Sequence, residues 1–385
     1  MIPYGRQSIS QADIDAVEAV LRSDFLTQGP VVPQFEAAIA ARVNASHAIA
    51  VNSATSALHI ACLALELSAG DRLWTSPITF VASASCGRYC GADVDFVDID
   101  PDTFNLSPDA LRARLEQAER DDALPKVIVA VHMCGQSPDM PRIAALARFY
   151  GIRVIEDASH AIGAAYQGQP VGNGAHADIT IFSFHPVKII TTGEGGMAVT
   201  NDRELAARME RLRSHGITRD PALMTHESDG PWYYQQLELG WNYRMTEMQA
   251  ALGLSQLARL DEFVDRRNAL AERYDRLLAD LPLDLPGRLS GSRSAFHLYV
   301  VRLRTNDPDR HRRVFAALRA ADIGVNLHYI PVHLQPYYRA LGFAQGDFPT
   351  SEDYYRRAIS IPLFSSMTET EQDRVVAALR QVLQE

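Results

Sequence analysis

The segment Ser183–Gly196 reads SFHPVKIITTGEGG and sets one lysine, Lys188, among Phe184, Val187, Ile189 and Ile190. Burying an unpaired ammonium is costly, so either the amine reaches water at the end of a snorkelling stem or the nitrogen has a chemical use. Two other stretches carry usable groups. RVIEDASHA ends an apolar run on Asp157, 31 residues before Lys188. At the carboxyl end of a strand in an open α/β sheet, such a carboxylate faces the crevice where ligands collect, while its neighbour Glu156 faces the other way. The structural alternative for Asp157 is pairing with an internal arginine or a backbone cap. NSATSAL, residues 52–58, ends a strand at Asn52 and starts a helix near Thr55. Free N–H groups and small hydroxyls at a helix start suit a phosphate, although Ser53 and Thr55 are also ordinary N-cap residues.

One cofactor uses all three groups at once. Pyridoxal phosphate needs a lysine for a Schiff base, an aspartate to keep its ring nitrogen protonated, and a helix N-terminus for its phosphate. The sequence has neither GxGxxG nor GxxxxGKS, so the two common nucleotide loops are absent.

The elements that must position these groups follow from periodicity. Short apolar runs (AIAVN, RLWTS, VDFVDI, KVIVAVHM, RVIED) alternate with stretches of helical spacing (ATSALHIACLAL, FVASASCGRYC, SPDALRARLEQA, DMPRIAALARFY). That order predicts an α/β fold with a mostly parallel, doubly wound sheet. ADITIFSF and GGMAVT are further strands on either side of the lysine segment. Thr246 to Leu281 reads as one long helix connecting two domains. AFHLYVVRL and IGVNLHY as strands, RHRRVFAALRAAD as helix and a closing helix from Glu369 suit a small α+β domain. The predicted division is a large domain over 1–250 with an N-terminal arm, then connector and small domain over 251–385.

Composition narrows the class. A 385-residue chain with 47% apolar residues and a net charge of −10 has a full core and lacks the basic surface of a nucleic-acid binder. No apolar run approaches the ~20 residues that span a bilayer, and MIPYGRQSIS has no apolar signal-peptide core. The expectation is a cytoplasmic protein bound to neither membrane nor nucleic acid. Cys62, Cys86, Cys90 and Cys134 are then reduced thiols. Cys86 and Cys90 can share a helix face, but no CxxC or nearby histidine completes a metal set, so no metal is expected.

With those residues in view, FVASA (80–84), EDASHAIGA (156–164), SFHPVK (183–188), GEGG (193–196), RSHG (213–216) and GWNYRMTEMQAALGLSQL (240–257) together resemble the DegT/DnrJ/EryC1/StrS sugar-nucleotide aminotransferases. The resemblance runs from Tyr4 to the final helix. It implies the aspartate-aminotransferase (type I) fold of pyridoxal-phosphate enzymes and a homodimer with shared active sites. DFLTQGP (24–30), SPITFVASA (76–84) and LHYIPVH (327–333) are similar to the PseC-type branch, which aminates a UDP-linked 4-keto-6-deoxy-N-acetylhexosamine toward pseudaminic acid. His160 and His185 stand where many members carry other residues and favour that branch.

The resemblance also implies roles. Lys188 holds the cofactor and moves a proton as a neutral amine, which desolvation would favour near neutrality. Asp157 holds the ring nitrogen in its protonated form, and His160 bonds Asp157 or the cofactor's phenolic oxygen. Phe80 lies on the ring. Ser53, Ala54, Thr55 and Ser183 hold the phosphate, with Asn242 reaching it from the partner subunit. Arg244 awaits a diphosphate or the donor's carboxylate. Tyr4, the segment Asp24, Phe25, Leu26 and Thr27, together with Ala54, His185, His328 and Tyr329, line the nucleotide-sugar pocket. Plain alternatives stand beside these: a capped core histidine for His160, core packing for Phe80, a surface salt bridge for Arg244. The expected reaction takes an amino group from an amino acid, glutamate, to a keto sugar nucleotide. Other sugars (4-amino-4-deoxy-arabinose, perosamine or bacillosamine precursors) remain open. A dehydratase of this fold, in which histidine replaces the lysine, and a non-catalytic cofactor-binding regulator are less consistent with Lys188 and with an acidic chain lacking a DNA-binding domain.

Overall fold

A computed structural model describes residues 1–305 and 307–384. Seven strands form the main sheet: β1 (His47–Val51), β2 (Arg72–Thr75), β3 (Asp93–Phe96), β4 (Val127–Val131), β5 (Arg153–Asp157), β6 (Ile179–Ser183) and β7 (Gly196–Thr200). Their spatial order is β1-β7-β6-β5-β4-β2-β3, and β7 alone runs antiparallel to its neighbours. β4, VIVAV, is buried at every position, as a central strand covered on both faces must be.

Strand alternation divides the side chains between two layers. Val127, Val129 and Ile155 pack with helices α3 (Ala54–Ala64) and α4 (Ala82–Tyr89), whereas Ile128, Ala130 and Val154 pack with α5 (Pro108–Arg120) and α6 (Met140–Phe149). By the same parity Asp157 and Glu156 go to opposite faces, as the sequence predicts. Glu156 lines a cavity of about 100 Å³ with His132, accepts a hydrogen bond from Thr180 Oγ1 (2.8 Å), and lies 3.9 Å from the His132 imidazole.

Two expectations change. The stretch predicted as one helix over Thr246–Leu281 is two, α7 (Glu247–Leu257) and α8 (Leu260–Leu277). At the break Arg259 leaves helical geometry (φ −106°, ψ 9°) and turns its guanidinium onto Ser8 O and Asp13, the same pair that Gln256 reaches. The N-terminal arm is thereby tied to the connector. IGVNLHY is not a strand. Its backbone is shared between the arm (Gly324 N–H to Ile2 O, 2.7 Å) and a single bridge from Asn326 to Ser360, and Asn326, His328 and Tyr329 line a cavity.

The C-terminal part is a three-stranded antiparallel sheet, Leu283–Asp284, Tyr299–Leu303 and Ala358–Ile361, packed with helices Pro308–Ala320 and Glu369–Gln384. Ile2, from the other end of the chain, joins this core. Residue 250 lies inside α7, and Asn306 and Glu385 of the predicted small domain lie outside the described residues. No helix among the described residues is long and apolar enough to cross a membrane.

Burial pushes the Glu156 carboxyl up to about 7 from 4.5, with the Thr180 hydrogen bond opposing. A raised folded-state pKa means that the stabilisation is whole below about 4.5 and is lost as pH rises to about 7. Glu156→Gln is therefore expected to stabilise the fold at pH 8 relative to pH 5, by up to about 3 kcal/mol. Urea midpoints of both proteins at the two pH values check this; an equal effect at both would exclude it.

Candidate active site

A cavity of about 540 Å³ opens at the carboxyl ends of β5 and β6, and it gathers the groups that the sequence singles out. Ser53, Ala54, Thr55, Phe80, Asp157, His160, Ser183, His185 and Lys188 line it from the main sheet's side; Tyr4, His297, Asn326, His328 and Tyr329 close it from the arm and the C-terminal part.

Lys188 sits in the turn between β6 and β7. That turn is closed by Phe184 N–H to Gly195 O (2.9 Å) and Thr192 N–H to Phe184 O (3.0 Å), and anchored by the buried side chains of Phe184, Ile189 and Ile190. The apolar neighbours hold the loop down while the amine is left in the cavity. There desolvation pushes its pKa down to about 8 from 10.5, against the pull of the Asp157 carboxylate.

Asp157 is buried without an arginine partner. Its Oδ2 accepts from Ser83 Oγ (2.6 Å), Ser83 also bonds Thr79 Oγ1 (2.7 Å), and Oδ1 accepts from the Ser159 N–H (3.1 Å). Of the two partners expected for His160, Asp157 is not bonded to it: His160 Nε2 meets the Tyr329 hydroxyl at 3.1 Å, and Nδ1 has no partner among the described residues. His160 follows a turn, not a helix, so its ring lies beside Tyr329 and 4.4 Å from the His297 ring (centroid to centroid). Burial, then the Lys188 charge, holds the His160 pKa well below the usual imidazole value, so the ring is neutral. Burial likewise pushes His328 down to about 3. His328 Nδ1 bonds Ser360 Oγ (2.8 Å) and its ring packs on Tyr4 at 5.2 Å.

At the helix start, Ser53 caps α3 by accepting from the Ser56 N–H (3.1 Å). The first helical N–H groups, those of Ala54 and Thr55, have no intrahelical acceptor, and both residues line the cavity. Phe80 is not core: it is 57% exposed on the cavity wall.

The remaining predicted residues lie elsewhere on the chain. Asn242 is exposed beside Asn52, and Arg244 pairs its backbone with Val51; neither lines the cavity. Arg244 forms no salt bridge among the described residues. Asp24, Phe25, Leu26 and Thr27 are exposed and stand next to this segment, through the Thr27–Thr246 bridge and Glu247 N–H to Leu26 O (3.0 Å). The Glu247 carboxylate accepts from the Val31 and Val32 N–H groups and fastens the turn. Sequence reasoning missed Ser83, His297 and Asn326. Ser83 lies inside the quoted FVASA run; His297 and Asn326 are more than a hundred residues from Lys188 and have no local signature.

Comparison with known proteins agrees with this geometry. The profile of the DegT/DnrJ/EryC1/StrS aminotransferase family matches residues 7–380. The spore coat polysaccharide biosynthesis protein SpsC of Bacillus subtilis (strain 168) is 39% identical, over 99% of this chain and 97% of its own. The UDP-4-amino-4,6-dideoxy-N-acetyl-beta-L-altrosamine transaminase of Campylobacter jejuni is 37% identical, over 95% and 93%. Among solved structures, Helicobacter pylori PseC superposes with a TM-score of 0.91 at 30% identity, covering 100% of this chain and 99% of its own. The PLP-form of the putative sugar aminotransferase Spr1654 from Streptococcus pneumoniae gives 0.89 at 28%, covering 100% and 98%. These neighbours carry the expected type I fold.

The cavity fits pyridoxal phosphate. A Cβ on Gly196 would stand 2.5 Å from Ala54 N and from the Ser53 carbonyl carbon, so only glycine lets β7 approach the helix start that would hold the phosphate. Lys126 and Lys188 are the two lysines of the chain, and Lys126 is ion-paired to Asp71. Borohydride reduction of the cofactor-loaded protein should therefore place the label on Lys188 and leave Lys126 bare, as read by peptide mapping. In the apoprotein, acylation of Lys188 should rise through a midpoint near pH 8; a midpoint near 10.5 would exclude a desolvated amine. By family profile, relatives and fold, the chain belongs to the DegT/DnrJ/EryC1/StrS family and is a pyridoxal-phosphate-dependent sugar aminotransferase.

Proposed function

We propose that this aminotransferase takes the amino group of L-glutamate and delivers it to C4 of a UDP-linked 4-keto-6-deoxy-N-acetylhexosamine. The observation that carries the reading is a desolvated lysine and a buried aspartate in one cavity, walled by Tyr4, His328 and Tyr329. The altrosamine transaminase and PseC among the relatives support the choice of sugar. The 39% identity to SpsC supports a second reading, the same chemistry on another keto sugar nucleotide.

When bound, pyridoxal phosphate carries the amino group between donor and acceptor and takes up the electrons released as a C–H proton leaves. Lys188 moves that proton on Nζ, neutral in a growing fraction as pH rises through about 8. Asp157, oriented by Ser83 and the Ser159 N–H, keeps a ring nitrogen protonated. Ser53, Ala54, Thr55 and Ser183 hold the phosphate and Phe80 covers the ring. Tyr4, His185, His328 and Tyr329 meet the sugar nucleotide. Asp24–Thr27, Asn242 and Arg244 form one edge outside their own cavity, and in a homodimer that edge serves the partner's.

Two experiments test the reading. Incubation with glutamate and a panel of 4-keto sugar nucleotides should release 2-oxoglutarate fastest with the UDP-linked 4-keto-6-deoxy-N-acetylhexosamine; a faster member would replace the sugar and leave the chemistry standing. Chains carrying Lys188→Ala and Arg244→Ala, each inactive alone, should regain about a quarter of the wild-type activity when co-refolded, because half of randomly paired dimers hold one intact site. No recovery would exclude the shared site.

A further inference from the structure

Helices α3 and α4 pack along each other, and where they meet they gather three thiols that the transamination site does not use. Cys62, on α3, and Cys86, on α4, bury in one apolar cluster, and Cys90, the residue that caps α4, packs against it. All three are free; Cys62 and Cys86 are buried, and Cys90 is partly exposed. Cys86 Sγ already donates to Ser83 O (3.3 Å). Cys90 stands also beside His59, one helical turn before Cys62. The His59 Nδ1 meets the Tyr243 hydroxyl at 3.2 Å, and its Nε2 has no hydrogen-bond partner among the described residues.

This arrangement separates the thiols by role. Contact with Cys62, and then with His59, lowers the pKa of the Cys90 thiol against its desolvation. Contact with Cys86 and then Cys90, together with burial, raises that of Cys62. A thiolate that solvent can reach, backed by a buried thiol, is the pairing in which oxidation stops at a disulfide rather than climbing to sulfinic acid.

We propose that Cys90 and Cys62 form a reversible disulfide when the protein meets a peroxide. The Cys90 thiolate attacks one oxygen of hydrogen peroxide, the O–O bond breaks, and hydroxide leaves, giving a sulfenic acid. Cys62 sulfur then attacks Cys90 sulfur, the S–O bond breaks, and the hydroxyl leaves as water with the Cys62 proton. Two thiols lose two electrons, and one peroxide becomes two waters. The bridge joins the ends of α3 and α4 remote from the cavity, and these helices begin at the Ser53–Thr55 turn and just after Phe80.

The test treats the cofactor-loaded protein with a small excess of hydrogen peroxide. An intact mass lower by two hydrogens is expected, with a non-reduced digest joining the Cys62 and Cys90 peptides and dithiothreitol reversing both. Cys86→Ser should keep the cross-link. Cys90→Ser should lose it while retaining the visible absorbance of the bound cofactor, which shows that the variant is folded. Added oxygen on Cys90 without a cross-link, an unmodified Cys90, or a bridge to Cys86 or between subunits would each overturn the proposal.

Discussion

An ammonium can be kept from water only if the chain around it is fastened more firmly than the charge pulls toward solvent. In this protein the fastening is the turn between β6 and β7. Phe184, Ile189 and Ile190 bury on both sides of Lys188, and backbone bonds from Phe184 to Gly195 and Thr192 close the loop. The apolar residues that make the lysine look misplaced in the sequence are what hold it in place. Its lowered proton affinity follows from that burial, with the Asp157 carboxylate only partly restoring it.

Asp157 depends on a second constraint, the two-residue period of β5. The same period that sends Asp157 into the cavity sends Glu156 behind the sheet, where burial raises its proton affinity instead. Two adjacent carboxylic acids therefore have opposite environments. A protein that needed only a buried acid could have used either; the register of β5 against β4 and β6 selects which one meets Lys188. Ser83, from the first turn of α4, and the Ser159 N–H then hold the carboxylate by hydrogen bonds rather than by an arginine, which leaves the acid free to act on a bound group.

The cavity wall opposite the sheet is built from residues far along the chain. The arm brings Tyr4, held by the ties of Asp13 and Ser8 to Gln256 and Arg259. The segment after Ile323, joined to the small sheet by the one Asn326–Ser360 bridge, brings Asn326, His328 and Tyr329. The Tyr329 hydroxyl then shares a hydrogen bond with His160 Nε2. The sequence reading offered that imidazole Asp157 or the cofactor's phenolic oxygen, both within reach of one local turn, and a partner 169 residues away has no local trace.

The sequence alone was sufficient for the alternation of strand and helix, and for Lys188, Asp157 and the Asn52–Ser56 turn. Each of these rests on local spacing: the period of a strand, the free N–H groups of a helix start, the oddity of one charge in an apolar run. The family resemblance named the cofactor's company of residues in the same local motifs. Tertiary structure decided the rest, because it depends on which distant segments share a surface. Packing against the arm split the connector into two helices and turned IGVNLHY from strand to cavity wall. The fold as a whole put Phe80 on that wall, brought His297 against His160, and left Asp24–Thr27, Asn242 and Arg244 on an outer edge of their own chain. Hydrogen bonds and burial between residues far apart in sequence are set by the fold as a whole, and no short stretch of residues encodes them.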